Sequence, residues 1–259
     1  MQFLSLGGSS LKYVDAHCHI AEYKDPDIVI NEAITKGVDI IIGVGDNPAS
    51  NAKLLSIACK YPNVVKPCLG FHPWDAPSAS NEDIKMFKEQ IKKNIDQIYG
   101  IGEVGLDKRF VKGEDKFKKQ MKIFKIAIEL AKEYELPLNI HTVKTERIAF
   151  ELLIKEDISK ALFHWYTGSY EVLNQIISVG YRVSVNLSLM YSKRSRGVAE
   201  RTPLALLLLE SDSPYEFRGE VASPLSVCKV ASLLANIKHV SIDVIAKVTT
   251  RNATIFFSI

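Results

Sequence analysis

The chain of 259 residues lacks the features that mark several common classes of protein. It has four cysteines and none forms a CxxC pair, which disfavours a disulfide scaffold and favours reduced thiols. The longest apolar run, at 204–209, is far shorter than the roughly 20 residues that cross a bilayer. No basic segment with a long apolar core stands at the beginning, so no signal peptide is predicted. We therefore expect a soluble, cytoplasmic protein with no membrane partner.

A strong charge imbalance is also missing, since 33 basic and 30 acidic residues give a net charge of +3. So small a surplus neither implies nor excludes binding to nucleic acid. No glycine-rich GxGxxG motif follows the first apolar segment, which disfavours a dinucleotide-binding sheet. No internal repeat or linker divides the chain, and its length is typical of one large barrel. We expect a single domain over residues 1–259, of which residues 1–11 form a short leader.

What the sequence does contain is an alternation of short β-branched runs with longer helical patterns. Eight strands are predicted, at 13–16, 38–44, 64–69, 98–103, 138–140, 161–163, 182–185 and 206–210. Helical periodicity is clearest at 114–135, and further helices are predicted at 81–95, at 170–179 and after Ser241. This alternation is typical of a parallel sheet with helical crossovers. The predicted fold class is α/β, as a (β/α)8 TIM barrel, and an open doubly wound sheet is the competing architecture.

Chemically reactive side chains recur at the C-terminal ends of the predicted strands. Five of the six histidines and two carboxylates lie there, namely His17, His19, His72, Glu103, His141, His164 and Asp212. In a (β/α)8 barrel, these strand ends form the edge at which active sites are built. The remaining histidine, His239, precedes a predicted surface helix and is interpreted as solvated.

The HxH sequence of His17 and His19 carries its own geometric information. Residues two apart on a strand project to the same side, about 6.6 Å apart along the backbone. Two imidazoles can then approach one metal ion, each at about 2.0–2.1 Å. Cys18 should face the other way as a small buried hydrophobic residue. Asp15, on the side of the histidines, either orients one of them or lines the floor of the site.

Each of these residues has an ordinary structural explanation when it is taken alone. A single HxH is a weak motif, a histidine at a strand end is more often a hydrogen-bonded core residue, and Asp212 could cap a helix. Taken jointly, four histidines and two carboxylates would have to share one edge for unrelated reasons. We therefore favour a metal site with mixed ligands. The predicted ligands are His17, His19, Glu103, His141, His164 and Asp212.

Six segments extend this pattern along almost the whole chain. They are VDAHCH at 14–19, GFHPW at 70–74, IGEVGLD at 101–107, PLNIH at 137–141, FHWYTGS at 163–169 and LESDSP at 209–214. In this order they resemble the TatD family of metal-dependent nucleases, within the amidohydrolase-like hydrolase barrels. The segment 249–256, with Asn252 and Ala253, resembles the closing helix of that family.

The resemblance implies a site with two divalent metal ions, which would be zinc, manganese or magnesium. His17, His19 and Asp212 would hold one ion, His141 and His164 the other, and Glu103 would bridge them. Members of the family hydrolyse DNA phosphodiesters, so the resemblance implies DNA as the substrate. Asp212 and Glu103 are the predicted catalytic residues, with Asp212 orienting and deprotonating the attacking water.

Residues that would bind the substrate are less regular than the predicted ligands. The candidates are His72, Trp74, Asp107, Lys144, Trp165 and Arg194. Trp74 and Trp165, with Tyr166, either stack on bases or pack the top of the barrel. Basic residues that could meet phosphate are Lys193, Arg194 and Arg196 after the seventh strand, and Lys108 and Arg109 after the fourth.

The sequence also departs from the family pattern. The arginine that usually follows the fifth-strand histidine by two residues is replaced by Val143, and the loop at 220–225 differs. Three hypotheses therefore stand: a DNA phosphodiesterase, a hydrolase of a small C–N, lactone or phosphoester substrate with the same metals, and a non-catalytic binding barrel. The complete ligand set disfavours the third. The sequence does not set the oligomeric state, and a monomer is compatible with it.

Overall fold

The structure, a computed structural model, describes residues 11–109, 111 and 113–259. Its main sheet contains the strands β1 (Tyr13–Cys18), β2 (Val38–Val44), β3 (Val65–Phe71), β4 (Gly100–Asp107), β5 (Leu138–Val143), β6 (Ala161–Phe163), β7 (Arg182–Val185) and β8 (Leu207–Leu209). The strands are paired in chain order and each is parallel to the next. Each consecutive pair is joined by a helical crossover, as parallel pairing requires.

The sheet closes on itself where β1 meets the segment that follows β8. The amide of Asp212 donates to the carbonyl oxygen of His17 at 3.0 Å, and the amide of His19 donates to that of Ser213 at 2.8 Å. The prediction of a (β/α)8 barrel is therefore confirmed, and the open sheet is not the architecture. Because closure involves His17, His19 and Asp212 themselves, three predicted ligands lie at the seam of the barrel.

Helices surround the barrel between its strands. They are α1 (Pro26–Thr35), α2 (Pro48–Lys60), α3 (Asn81–Lys93), α4 (Glu114–Glu133), α5 (Glu146–Lys155), α6 (Tyr170–Ser178), α7 (Lys193–Arg201), α8 (Ser226–Lys238) and α9 (Ile242–Phe257). In α3, Ser80 and Asp83 form a capping box, and Phe87 and Ile91 face the core. Ser241 caps α9 as predicted, by accepting from the amide of Val244. Among the described helices, none has the length and apolarity to cross a membrane.

The strand β5 illustrates how the barrel separates core from site. Leu138 and Ile140 belong to the hydrophobic core that lies between the sheet and the helices. Asn139 and His141 alternate with them and are buried among polar groups instead. The strand alternation therefore sends apolar side chains to the helices and polar ones toward the interior of the barrel.

Several elements differ from their predicted bounds. The strand β4 extends to Asp107 and β5 to Val143, so Glu103 and His141 lie within strands and not at their ends. A two-stranded hairpin of β9 (Glu216–Phe217) and β10 (Glu220–Val221) follows β8 and was not predicted. Residues 1–10 of the predicted leader lie outside the described residues, and Leu11 packs against the core. That the chain is a single domain stays a prediction.

Candidate metal centre

A first group of ligands forms around the HxH sequence. The Nε2 atoms of His17 and His19 are 3.2 Å apart, and each lies 3.2 Å from Oε2 of Glu103. Each also lies 3.5 Å from Oδ1 of Asp212. The two imidazoles converge as predicted, although only His17 lies within β1, which ends at Cys18, and His19 begins the following turn.

These distances can be tested against the size of a metal ion. Four ligand atoms at about 2.0–2.1 Å from a tetrahedral ion are separated from one another by about 3.3–3.4 Å. The atoms of His17, His19, Glu103 and Asp212 are separated by 3.2 to 3.5 Å in the five measured pairs. The first group therefore has the spacing of a four-coordinate metal site.

A second group forms around the other oxygen of Glu103. Oε1 of Glu103 lies 2.6 Å from Nδ1 of His141 and 2.8 Å from Nε2 of His164. Those two nitrogens are 3.4 Å apart, and Nε2 of His72 lies 3.3 Å from the same oxygen. Glu103 thus presents one oxygen to each group, which is the arrangement of a bridging carboxylate. All six predicted ligands are brought together, with His72 beside them.

Every imidazole in the two groups has a polar partner near its other nitrogen. Such partners fix the ring orientation and tautomer of metal-binding histidines. The pairs are Asn139 Oδ1 with Nδ1 of His17 at 2.9 Å, Asp46 Oδ1 with Nδ1 of His19 at 3.0 Å, Asp107 Oδ2 with Nε2 of His141 at 2.9 Å, and Glu210 Oε1 with Nδ1 of His164 at 3.7 Å. Glu210 is thus beyond hydrogen-bond distance of His164, whereas the polar atoms behind His17, His19 and His141 lie within 3.0 Å. In each ring the other nitrogen faces the ligand cluster.

Asp15 lies beneath the site and does not orient a histidine ring. Its carboxylate accepts from the amide of Ser211 at 2.8 Å and from the Ser211 hydroxyl, and from the amide of His17 at 3.3 Å. Of the two roles considered for Asp15, the floor of the site fits these contacts. Cys18 is fully buried, with Sγ 3.2 Å from Oγ of Ser213, and faces away from the ligand cluster.

The electrostatics of the cluster favour positive charge at its centre. Burial acts to raise the pKa of Glu103, but His164 and the neighbouring imidazoles lower it well below its ordinary value. Burial acts in the opposite sense on His164, yet Glu103 raises its pKa well above the ordinary value. Glu103 is therefore held ionised, next to imidazole nitrogens that bind protons readily. A metal cation can replace those protons at the centre of the cluster.

A cavity of about 600 Å³ opens above the two groups. Three of the candidate substrate residues, His72, Trp74 and Trp165, line it. Trp165 is half-buried and packs against Tyr215 and Phe217, with ring centroids 5.1 Å from each. Tyr166 is buried and its hydroxyl donates to the carbonyl of Ser169, so for Tyr166 the packing alternative is the observed one.

The other candidate substrate residues lie elsewhere. Asp107 is fully buried behind His141 and contacts the cavity only through its neighbours. Lys144 and Arg194 are exposed and do not belong to the described lining of the cavity. The Arg194 guanidinium lies 4.4 Å from the centre of the Tyr170 ring. Arg196 of α7 donates to the carbonyls of Leu189 and Met190 in the segment that precedes this helix.

Sequence reasoning missed several residues that shape the site. Asp46 follows β2 at the same edge as the predicted ligands, so the rule applied to the other strands would have found it. Asn139 stands two residues before His141 on β5, and its side chain therefore points to the same side of the strand. Tyr215 lines the cavity beside the unpredicted hairpin, and no pattern in the sequence signalled it.

A closed (β/α)8 barrel with imidazoles and carboxylates at its C-terminal mouth defines a metal-dependent hydrolase. The family model described as TatD related DNase matches residues 14–258, and the chain belongs to this family. The predicted family and the predicted enzyme class are thereby confirmed.

Two curated relatives agree with this assignment, and two solved structures share the fold. Human "Deoxyribonuclease TATDN3" is 29% identical over 260 residues, covering 94% of each chain. A Methanocaldococcus jannaschii protein named a metal-dependent hydrolase is 32% identical, covering 95% of this chain and 97% of that one. The TatD homolog YjjV of Escherichia coli superposes with a TM-score of 0.88 at 24% identity, covering 97% and 100%. A TatD family hydrolase of Entamoeba histolytica gives 0.84 at 21%, covering 95% and 98%, and these two structures show the shared fold.

Proposed function

We propose that this protein hydrolyses phosphodiester bonds of DNA, with two divalent metal ions at the mouth of its barrel. The observation that carries the proposal is the position of Glu103, whose two carboxylate oxygens face separate groups of predicted ligands. The name of the human relative, a deoxyribonuclease, supports DNA as the substrate. The alternative of a small-molecule substrate has no comparable support.

The imidazoles and carboxylates of the site also indicate how the two metal ions would be held and which metals are favoured. His17, His19 and Asp212 would hold one ion, His141 and His164 the other, with Glu103 between them. Four imidazoles favour zinc or manganese over magnesium on ligand preference. When bound, two such ions lower the pKa of a water molecule and stabilise charge on a phosphoryl group.

Within this site, Asp212 has the position of a general base. Its carboxylate is buried, lines the cavity and faces the Nε2 atoms of His17 and His19. A water molecule that attacks a phosphorus atom must lose a proton, and a carboxylate at the edge of the cavity can orient that water and accept the proton. Glu103 is enclosed by imidazoles and acts by holding the two groups of ligands at a fixed separation.

The experiment is to replace Asp212 with asparagine and to assay cleavage of single-stranded and duplex oligonucleotides with Mg²⁺, Mn²⁺ or Zn²⁺. We expect turnover to fall by roughly 10²–10⁴-fold, because a general base contributes about that much. The fold should be retained, as judged by circular dichroism. Asp96→Asn, at an exposed position, is the matched control and should behave as the wild type. Near-normal turnover of the Asp212→Asn variant would remove Asp212 from this role.

Elemental analysis of the purified protein should find two metal ions per chain, whereas a non-catalytic barrel need bind none. We place the activity in the cytoplasm, because all four cysteines are free thiols, the state that reducing compartments maintain. A monomer is sufficient for catalysis in this proposal, since the six ligands come from one chain.

A further inference from the structure

Asp107 joins the metal-binding groups to the wall of the cavity. Its Oδ2 atom accepts from Nε1 of Trp74, from Nη2 of Arg109 and from Nε2 of His141, each at 2.9 Å. Nε of Arg109 donates to the same oxygen at 3.2 Å, and the amide of Arg109 donates to Oδ1 at 2.6 Å. One buried carboxylate therefore fixes a metal-binding imidazole, an indole and a guanidinium relative to one another.

Arg109 and Trp74 form a continuous surface on the cavity wall. Both residues line the cavity, with the Arg109 side chain 40% exposed and Trp74 49% exposed. The guanidinium carbon lies 5.8 Å from the centre of the indole ring. A flat aromatic face next to a cation suits the two parts of a nucleotide, because a base stacks on the ring and a phosphate binds the guanidinium.

The charge of the cavity makes Arg109 distinctive. Five carboxylates line it: Glu22, Asp46, Asp75, Glu103 and Asp212. Within the described part of the chain, Arg109 is the one arginine or lysine of the lining. Val143, at the position where the family pattern has an arginine, also lines the cavity and brings no charge. A substrate phosphate that lies away from the metal ions would therefore meet its positive partner at Arg109.

We propose that Arg109 and Trp74 form a subsite for the nucleotide next to the bond that is cleaved, and that Arg109 binds the phosphate flanking the scissile one. This inference rests on the proposed function, since it takes DNA as the substrate. Asp107 is the positioning residue of the subsite, because it holds both side chains without lining the cavity.

The geometry separates this phosphate from the scissile one. His141 faces Glu103 through Nδ1 and faces Asp107 through Nε2, the two opposite nitrogens of one ring. The guanidinium lies on the Nε2 side, beyond Asp107. The imidazole ring of His141 and the carboxylate of Asp107 thus separate Arg109 from Glu103. A phosphate held at the metal ions would leave Arg109 to a neighbouring phosphate of the same strand.

The test combines a change in the protein with a change in the substrate. Arg109→Gln removes the charge and Arg109→Lys keeps it, and Arg251→Gln removes the charge of an exposed arginine on α9 as the matched control. The substrates are a single-stranded oligonucleotide and its counterparts with one neutral methylphosphonate linkage beside the cleaved bond, on either side. Steady-state KM and kcat and the metal content are measured for each protein.

The wild type and Arg251→Gln should show a rise in KM of roughly 10- to 100-fold when the linkage on one side is neutral, as a lost charge-assisted hydrogen bond predicts. Arg109→Gln should have a similarly raised KM with the all-phosphate oligonucleotide and with that neutral-linkage counterpart. Its kcat should be near normal and its metal content full. Its plot of log KM against log salt should be shallower by about 0.7, the value for one phosphate contact on a single strand. Arg109→Lys should retain most of that slope.

Two results would overturn the inference. If Arg109→Gln discriminated against the neutral linkage as strongly as the wild type, Arg109 would not bind that phosphate. If the variant lost kcat and metal in step, Arg109 would act only through Asp107 and His141. Failure of the proposed function itself looks different, because the wild type would then leave the all-phosphate oligonucleotide uncut.

Discussion

The imidazole of His17 is held in a single tautomer by an asparagine. Nδ2 of Asn139 donates to the carbonyl of Ala16 at 3.1 Å, which turns the amide oxygen toward His17. That oxygen lies 2.9 Å from Nδ1 of His17, so Nδ1 carries the proton. Nε2 then points its lone pair into the ligand cluster, as metal binding requires.

Replacing Asn139 with alanine should therefore weaken metal binding more than it weakens the fold. Loss of such a partner typically lowers metal affinity by 10- to 100-fold. Competition with a chromophoric chelator measures the affinity. Asn252→Ala is the matched control, since Nδ2 of Asn252 donates to the carbonyls of Leu204 and Leu207 away from the site. The control should lower Tm and keep the metal affinity, and equal affinities in the two variants would contradict the assignment.

The convergence of the six predicted ligands could be anticipated from residue type and position, because imidazoles and carboxylates rarely share one barrel edge without a purpose. The residues behind them were harder to find. Asn139, Asp46 and Glu210 act through the far side of a ring, and an amide or carboxylate in a buried strand has no distinctive pattern along the chain. Arg194 shows the converse, because a basic residue near the active edge can face outward onto Tyr170.

At the scale of elements, glycines let neighbouring strands approach closely around the site. A Cβ on Gly70 of β3 would lie 2.2 Å from the amide nitrogen of Glu103 on β4. A Cβ on Gly105 of β4 would lie 2.0 Å from the carbonyl oxygen of His141 on β5, and Gly105 has φ +151°. Both contacts are with backbone, which cannot move aside as a flexible side chain can.

Gly105→Ala should accordingly disturb both stability and metal binding. Strained φ and overpacking together should lower the free energy of unfolding by about 3 kcal/mol or more. Displacement of the strand that carries His141 should reduce the metal content. Gly180→Ala isolates the backbone cost, since Gly180 has φ +79° and nothing within 4 Å of a Cβ. That control should lose about 1 kcal/mol in urea unfolding and keep its metal, and equal losses in the two variants would contradict this reading.

The bounds of elements were predictable where apolar runs are closed by turns, as in β2, β6 and β7. The predicted bounds were wrong where strands carry residues of the candidate site. Glu103 and His141 interrupt apolar runs and resemble the ends of strands in the sequence, but in a barrel the strand continues because its polar side chains line the interior. The hairpin β9–β10 had a usable signal, since Arg218 and Gly219 both have positive φ and glycine favours such two-residue turns.

At the scale of the whole molecule, three predicted ligands lie where the barrel closes. His17 and His19 on one side of the seam and Asp212 on the other are joined both by backbone hydrogen bonds and by their shared ligand group. A cation bound there would add a further link across the seam. It would bind the closed barrel and not the unfolded chain, so metal should stabilise the fold.

Removal of metal should therefore lower the melting temperature. At a free ion concentration one hundred times Kd, binding contributes about 2.7 kcal/mol, which for a chain of this size corresponds to a rise in Tm of roughly 5–10 °C. Differential scanning calorimetry with EDTA, and then with graded Zn²⁺ or Mn²⁺, measures the shift. Asp212→Asn should show a smaller dependence on the ion. A Tm that does not change with metal concentration would mean that the ions do not bind preferentially to the folded barrel.

The position of the seam also has a consequence during synthesis of the protein on the ribosome. His17 is synthesised 195 residues before Asp212, yet the two belong to the same predicted group of ligands. A nascent chain that has not yet released β8 cannot assemble that group, whatever metal surrounds it. Hydrolysis that depends on this group therefore cannot begin until Asp212 has been synthesised.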